Sequence, residues 1–167
     1  MKTSIKILVA ALGLLALVSC GEKGHKFTAQ ELLLVNKTWA PDVNANLQSS
    51  NEALEDATGI QSDIQLEGDV KKIGDFFAGK YLFGKGEKNP SELVYSITTG
   101  EGFLSAVTGA GKWSLSADGK TLSLIPYDYD AKAYAETPEL YEIIELTEDK
   151  LVWKKEGSSV ISTFVKK

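Results

Sequence analysis

From Lys80 to the C-terminus the chain alternates apolar and polar residues with a period of two, the mark of strands with one buried face. Segments 80–84, 92–98, 102–107, 111–116, 121–126, 140–146, 150–155 and 160–166 fit that pattern. The clearest pair is Lys112–Ser116 with Thr121–Ile125, where Trp113, Leu115, Leu122 and Leu124 alternate with polar neighbours. Asp118-Gly119 between them is a strong short-hairpin signal, because glycine accepts the positive φ that such a turn requires. Thr147–Lys150 joins a second pair, Tyr141–Leu146 and Leu151–Lys154, and Glu156–Ser159 leads into the last strand. Short strands at this spacing predict an antiparallel meander. Closing it into a barrel removes the exposed edges.

Ahead of Lys80 the period is helical. Thr28-Ala29-Gln30-Glu31 fits a capping box before the apolar run Leu32–Val35. Lys37 to Val43 reads as a short extended piece around Trp39, with Pro41 confining it to an edge or a bend. Residues 44–58 carry Leu47 and Leu54 among polar residues, a weakly amphipathic helix. Asp69–Phe77 places Val70, Ile73, Phe76 and Phe77 on one helical face, with Asp69 as N-cap and Gly79 as stop. The expected architecture is mainly β: a small antiparallel up-and-down barrel over residues 28–167, behind short N-terminal helices.

The first residues follow another logic. Lys2 and Lys6 precede an unbroken apolar segment, Ile7 to Val18, which ends in Leu17-Val18-Ser19-Cys20. Twelve apolar positions fall short of the roughly 20 that a spanning helix needs. A charged start, an apolar middle and small residues at the cut predict a signal peptide over residues 1–19. Leu17–Cys20 resembles the lipobox of bacterial lipoproteins. That resemblance implies cleavage before Cys20, a diacylglyceryl group on its sulfur and palmitate-type acyl chains. Two or more chains hold a protein stably on a membrane. Residues 20–27, polar and holding the only histidine (His25), then serve as acylated cysteine and tether. The implied place is the bacterial cell envelope. Gly21, rather than an aspartate, after the cysteine favours the outer membrane over the inner under the enterobacterial sorting pattern.

Removing residues 1–19 leaves 16 lysines and 23 acidic residues, a net charge of −7, and no arginine. The absence of the planar arginine fork argues against nucleic-acid or phosphate recognition. The acidic balance argues against attraction to anionic head groups, so membrane binding falls to the acyl group alone. With Cys20 the only cysteine, no disulfide helps this fold.

Two segments carry a family resemblance. Gly111–Leu124 and Ile144–Lys154 are similar to the repeating hairpin of small bacterial lipocalin-like lipoproteins, a family common in Bacteroidetes. Lys37-Thr38-Trp39 loosely echoes the Gly-x-Trp opening of that family, without its glycine. The match spans roughly residues 32–167 and implies a lipocalin-like barrel with a binding role.

Candidate chemistry is sparse. Serines in strands and turns have no histidine beyond His25 to activate them, and Cys20 is committed to the lipid. Neither a zinc set nor a calcium loop forms: the stretch opening at Asp42 has Leu47 where the loop needs glycine and Ala53 where it needs glutamate. The expectation is a protein that is not an enzyme and needs no metal or cofactor. The connection Tyr127–Tyr134 offers aromatic faces and two aspartates, fit to line a barrel mouth. Two readings of the interior follow. In one, Trp113, Leu115, Leu122, Leu124, Tyr127, Tyr129, Tyr141, Ile143 and Trp153 surround a small apolar ligand. In the other, the barrel is filled by its own side chains and its loops contact protein partners in the envelope. An eight-stranded barrel has just enough interior for either.

Overall fold

The computed structural model describes residues 24–167. Cys20 and the expected signal peptide lie outside the described residues. The architecture is mainly β, an eight-stranded antiparallel closed barrel with a few short helices, as the alternation predicts.

The strands are β1 (Thr38–Pro41), β2 (Lys80–Lys85), β3 (Leu93–Thr99), β4 (Ala106–Leu115), β5 (Thr121–Asp128), β6 (Ala133–Tyr134), β7 (Glu139–Leu146), β8 (Lys150–Lys155) and β9 (Ile161–Lys166). Each barrel strand pairs with its sequence neighbours, and β9 returns to β1 through Trp39↔Lys166 and Pro41↔Phe164. β6 is a two-residue extension that pairs only with the end of β5. Three helices precede β2: α1 (Ala29–Leu34), α2 (Val43–Thr58) and α3 (Gly68–Phe77).

Meander topology places α1 and the turns 86–92, 116–120 and 147–149 at one end of the barrel. α2, α3 and the loop 100–105 lie at the other. The tip of the expected tether is docked at the α1 end, where His25 N–H donates to Pro90 O and the Phe27 ring stacks on Trp113. α1 begins with the capping box read from Thr28 and Glu31: the Thr28 hydroxyl accepts from Glu31 N–H, and the Glu31 carboxylate from Thr28 N–H at 2.7 Å. Asn36 follows with φ 59°, a left-handed backbone that asparagine tolerates and glycine favours.

Glu31 is buried, which by itself would raise its carboxyl. The hydrogen bonds from Thr28 and His25 outweigh that and hold it below the ordinary carboxylate range. A depressed carboxyl contributes stability above its unfolded value, near pH 4, which is lost as pH falls through the folded value. Glu31→Gln should therefore destabilise the fold by about 1 kcal/mol at neutral pH, the usual worth of a cap. Urea denaturation should find the two proteins converging at strongly acid pH.

Three expectations change in detail. The strands expected at 102–107 and 111–116 are one ten-residue strand, β4, preceded by a single 3₁₀ turn at Gly102–Leu104. Gly109 and Gly111 do not turn the chain; they face Ile97 and Tyr95 across β3, whose side chains fill the space. α3 starts at Gly68 with Glu67 as N-cap, and its apolar face stays in solvent, with Val70, Ile73 and Phe77 exposed. α2 begins one residue earlier than expected, capped by the Asp42 side chain on Ala45 N–H. It lies along β9, where Asn46 and Ser49 accept from Thr163 N–H and Ile161 N–H.

Candidate functional site

Alternation decides which side chains enter the barrel. Trp39, Phe83, Tyr95, Trp113, Leu122, Leu124, Tyr141, Leu151, Trp153 and Phe164 form one buried cluster, with Leu115 and Ile143 packed against it. The half nearer α1 pairs its indole donors within the protein. There Trp39 and Trp113 satisfy their indole N–H groups on the carbonyls of Leu34 and Gly84, at 2.9 and 3.1 Å.

The half nearer α2 and α3 differs in chemistry. Glu139 opens β7 beside Lys155 at the end of β8, and Lys155 Nζ donates to Glu139 Oε1 at 2.6 Å. Tyr141, which pairs with Lys155 across the strands, donates its hydroxyl to Glu139 Oε2 at 2.8 Å. Trp153 lies against Tyr141, Tyr81 and Phe164, with ring centroids 5.0, 5.2 and 4.6 Å away. Tyr95 joins through Tyr81, at 6.3 Å. The result is an aromatic box with a carboxylate at its edge.

Three donors in this box have no protein acceptor among the described residues: the hydroxyls of Tyr81 and Tyr95 and the indole N–H of Trp153. No buried polar side-chain atom among the described residues is left both sealed and unpartnered, so all three are within reach of water. Yet Tyr95 is only 5 % exposed and Trp153 only 2 %. Buried donors are expensive to leave unpaired, so these three need water or another acceptor from outside the protein.

The phenols carry an electrostatic signature of the same place. Burial, reinforced by Tyr81 and by the Glu139 carboxylate, pushes Tyr95 up to about 12. Burial, then the Glu139 hydrogen bond and charge, push Tyr141 well above the ordinary phenol range, and burial and Glu139 raise Tyr81. The hydrogen bond from Lys155, with help from Tyr141, overcomes burial and holds Glu139 below the usual carboxylate range. A phenol raised on folding contributes stability that is whole below its unfolded value, near pH 10, and is lost as pH rises through the folded one. Stability should thus start to decline above about pH 10. Tyr95→Phe should remove a phenolate absorbance step near pH 12.

The residues expected around a ligand separate into three groups. Tyr141 and Trp153 belong to the aromatic box. Trp113 and Leu115 lie toward the α1 end of the cluster, its floor, whereas Leu122 and Leu124 pair in register with Tyr141 and Glu139 beside the box. Tyr127 and Tyr129 are not brought to either: Leu122 and Leu124 point inward, so Tyr127, of opposite parity on the same strand, points outward. It meets Tyr129 and Tyr134 at 5.3 and 5.1 Å on the exterior. There Tyr127 and Tyr134 border a hollow of about 620 Å³ over Ser96 and Ala110, with Lys112 above the Tyr134 ring at 4.4 Å. Tyr81, Tyr95, Glu139 and Lys155 were not singled out from the sequence. The alternation Tyr81–Phe83 and Tyr95–Ile97 was there to place both tyrosines inside.

Among the described residues no group of histidine, cysteine, aspartate and glutamate gathers to hold a metal ion. The chain matches no protein-family model, no curated protein and no solved structure. The closed barrel and its aromatic box therefore carry the functional argument.

Proposed function

We propose that the protein is a lipid-anchored, non-enzymatic binding module of a bacterial envelope, a lipocalin-like barrel that takes a small, largely apolar molecule into the half nearer α2 and α3. The observation that supports this reading is the set of three unpaired donors inside a box of aromatic rings. Apolar walls with a few placed polar groups are the usual make-up of a small-molecule site. Acylation at Cys20 would leave three residues before Gly24, a reach of roughly 14 Å. Because Gly24 lies against Pro90, the α1 end would then face the membrane and the binding half would face away from it.

Native mass spectrometry of residues 21–167, challenged with a lipid and metabolite extract, tests the binding role. A reproducible adduct supports it. A clean apo mass throughout favours the second reading, a filled barrel that contacts protein partners. That alternative draws support from the packing of Leu122, Leu124 and Trp113 and from the exposed apolar side chains Phe77, Phe103 and Leu104. The anchor is tested separately: Cys20→Ser should release the protein from the membrane fraction, and continued sedimentation with membranes would contradict acylation.

A further inference from the structure

The unpaired donors also restrict what the guest can be. An indole N–H only donates, so whatever meets Trp153 must accept. Tyr81 and Tyr95 present two further O–H groups to the same box, linked by ring contacts of 5.2 and 6.3 Å. Glu139 is already engaged, by Tyr141 and Lys155. A cationic guest brings no lone pair to Trp153. An anionic guest would lie beside the Glu139 carboxylate, with the nearby ammonium of Lys155 already paired. Burying an unpaired charge costs far more than burying a neutral dipole that finds its partners. A carbonyl oxygen has two lone pairs, enough to satisfy two of the donors at once.

Resting on the binding reading above, we infer that the barrel selects a neutral ligand whose carbonyl oxygen, that of a ketone, ester or amide, accepts from two of the three donors on Tyr81, Tyr95 and Trp153. Its apolar body lies against the rings of Tyr141 and Phe164. Carboxylic acids and amines of the same shape are discriminated against by the charge pair at the rim, Glu139 with Lys155.

Four probes of one shape test this on residues 21–167: naphthalene, acetylnaphthalene, naphthoate and naphthylmethylammonium, titrated by tryptophan fluorescence. Acetylnaphthalene should bind about tenfold tighter than naphthalene, the worth of one to two net hydrogen bonds. The two charged probes should bind more weakly than the ketone. The double variant Tyr81→Phe/Tyr95→Phe should erase the preference for the ketone, leaving ketone and hydrocarbon within about twofold of each other. Equal binding of ketone and hydrocarbon, or tighter binding of either charged probe, overturns the inference and leaves the binding reading standing. Failure of all four to bind overturns it too. An apo mass in the extract experiment as well would remove the binding reading with it.

Discussion

Trp153→Ala should cost about 4 kcal/mol, the scale measured when a large buried aromatic is truncated in a packed core. Trp153 is the hub of the interior: Phe164, Tyr141, Tyr81 and Phe83 surround it at 4.6, 5.0, 5.2 and 6.5 Å between ring centroids. It also bridges the two halves of the barrel, since Phe83 belongs to the floor and Tyr141 to the box. Four rings on β2, β7 and β9 cannot all collapse into the gap, because they are fixed to three different strands. The loss is therefore transfer free energy plus an unfilled cavity. Single domains have about 5–15 kcal/mol in hand, so one substitution removes a large share of the total. The thermal midpoint should fall by about 10 °C or more at this chain length. A drop of only a few degrees would mean that the interior is loosely filled.

Gly111→Ala is the second large effect, and it acts by overfilling. A Cβ at Gly111 would meet the Tyr95 ring at 2.7 Å and the Ile125 carbonyl oxygen closer still. Tyr95 lies across Gly111 because the two are partners in register, on the inner faces of β3 and β4. One obstacle is backbone on a neighbouring strand and the other a buried ring, so neither yields cheaply. We expect a loss of about 3 kcal/mol, at the upper end for overpacking. Equilibrium unfolding of Gly111→Ala beside Gly84→Ala makes the contrast, because a Cβ at Gly84 meets nothing within 4 Å. Similar losses for both would show that backbone entropy rather than crowding sets the cost. Tyr95→Phe in the Gly111→Ala background should give no relief, since the clash is with the ring.

These two residues also show how far the sequence could be read. Period-two alternation placed Trp113, Leu122, Leu124, Tyr141 and Trp153 inside a barrel, because side-chain parity is a local property of a strand. The Asp118-Gly119 turn was legible for the same reason, and Gly119 holds φ 71°. The stretch Gly109-Ala110-Gly111 divided what is one strand into two expected ones, because composition shows flexibility but not occupancy. Only the neighbouring strand reveals that Ile97 and Tyr95 take the room those glycines leave. For α3, the period identified an apolar face but not what covers it, and that face remains in solvent. The box escaped notice because its members stand far apart in the chain. Tyr81 and Glu139 come together only when β9 closes on β1 and β5 pairs with both β4 and β7.

The central claim is that the half of the barrel beyond the packed floor holds a ligand through the phenols of Tyr81 and Tyr95. Native mass spectrometry of the wild-type chain and the Tyr81→Phe/Tyr95→Phe variant, each exposed to the same envelope extract, tests it most directly. The account predicts an adduct on the wild type that is lost or much depleted on the variant, with the two apo proteins equally folded by circular dichroism. An adduct retained equally by both, or none on the wild type, would contradict it.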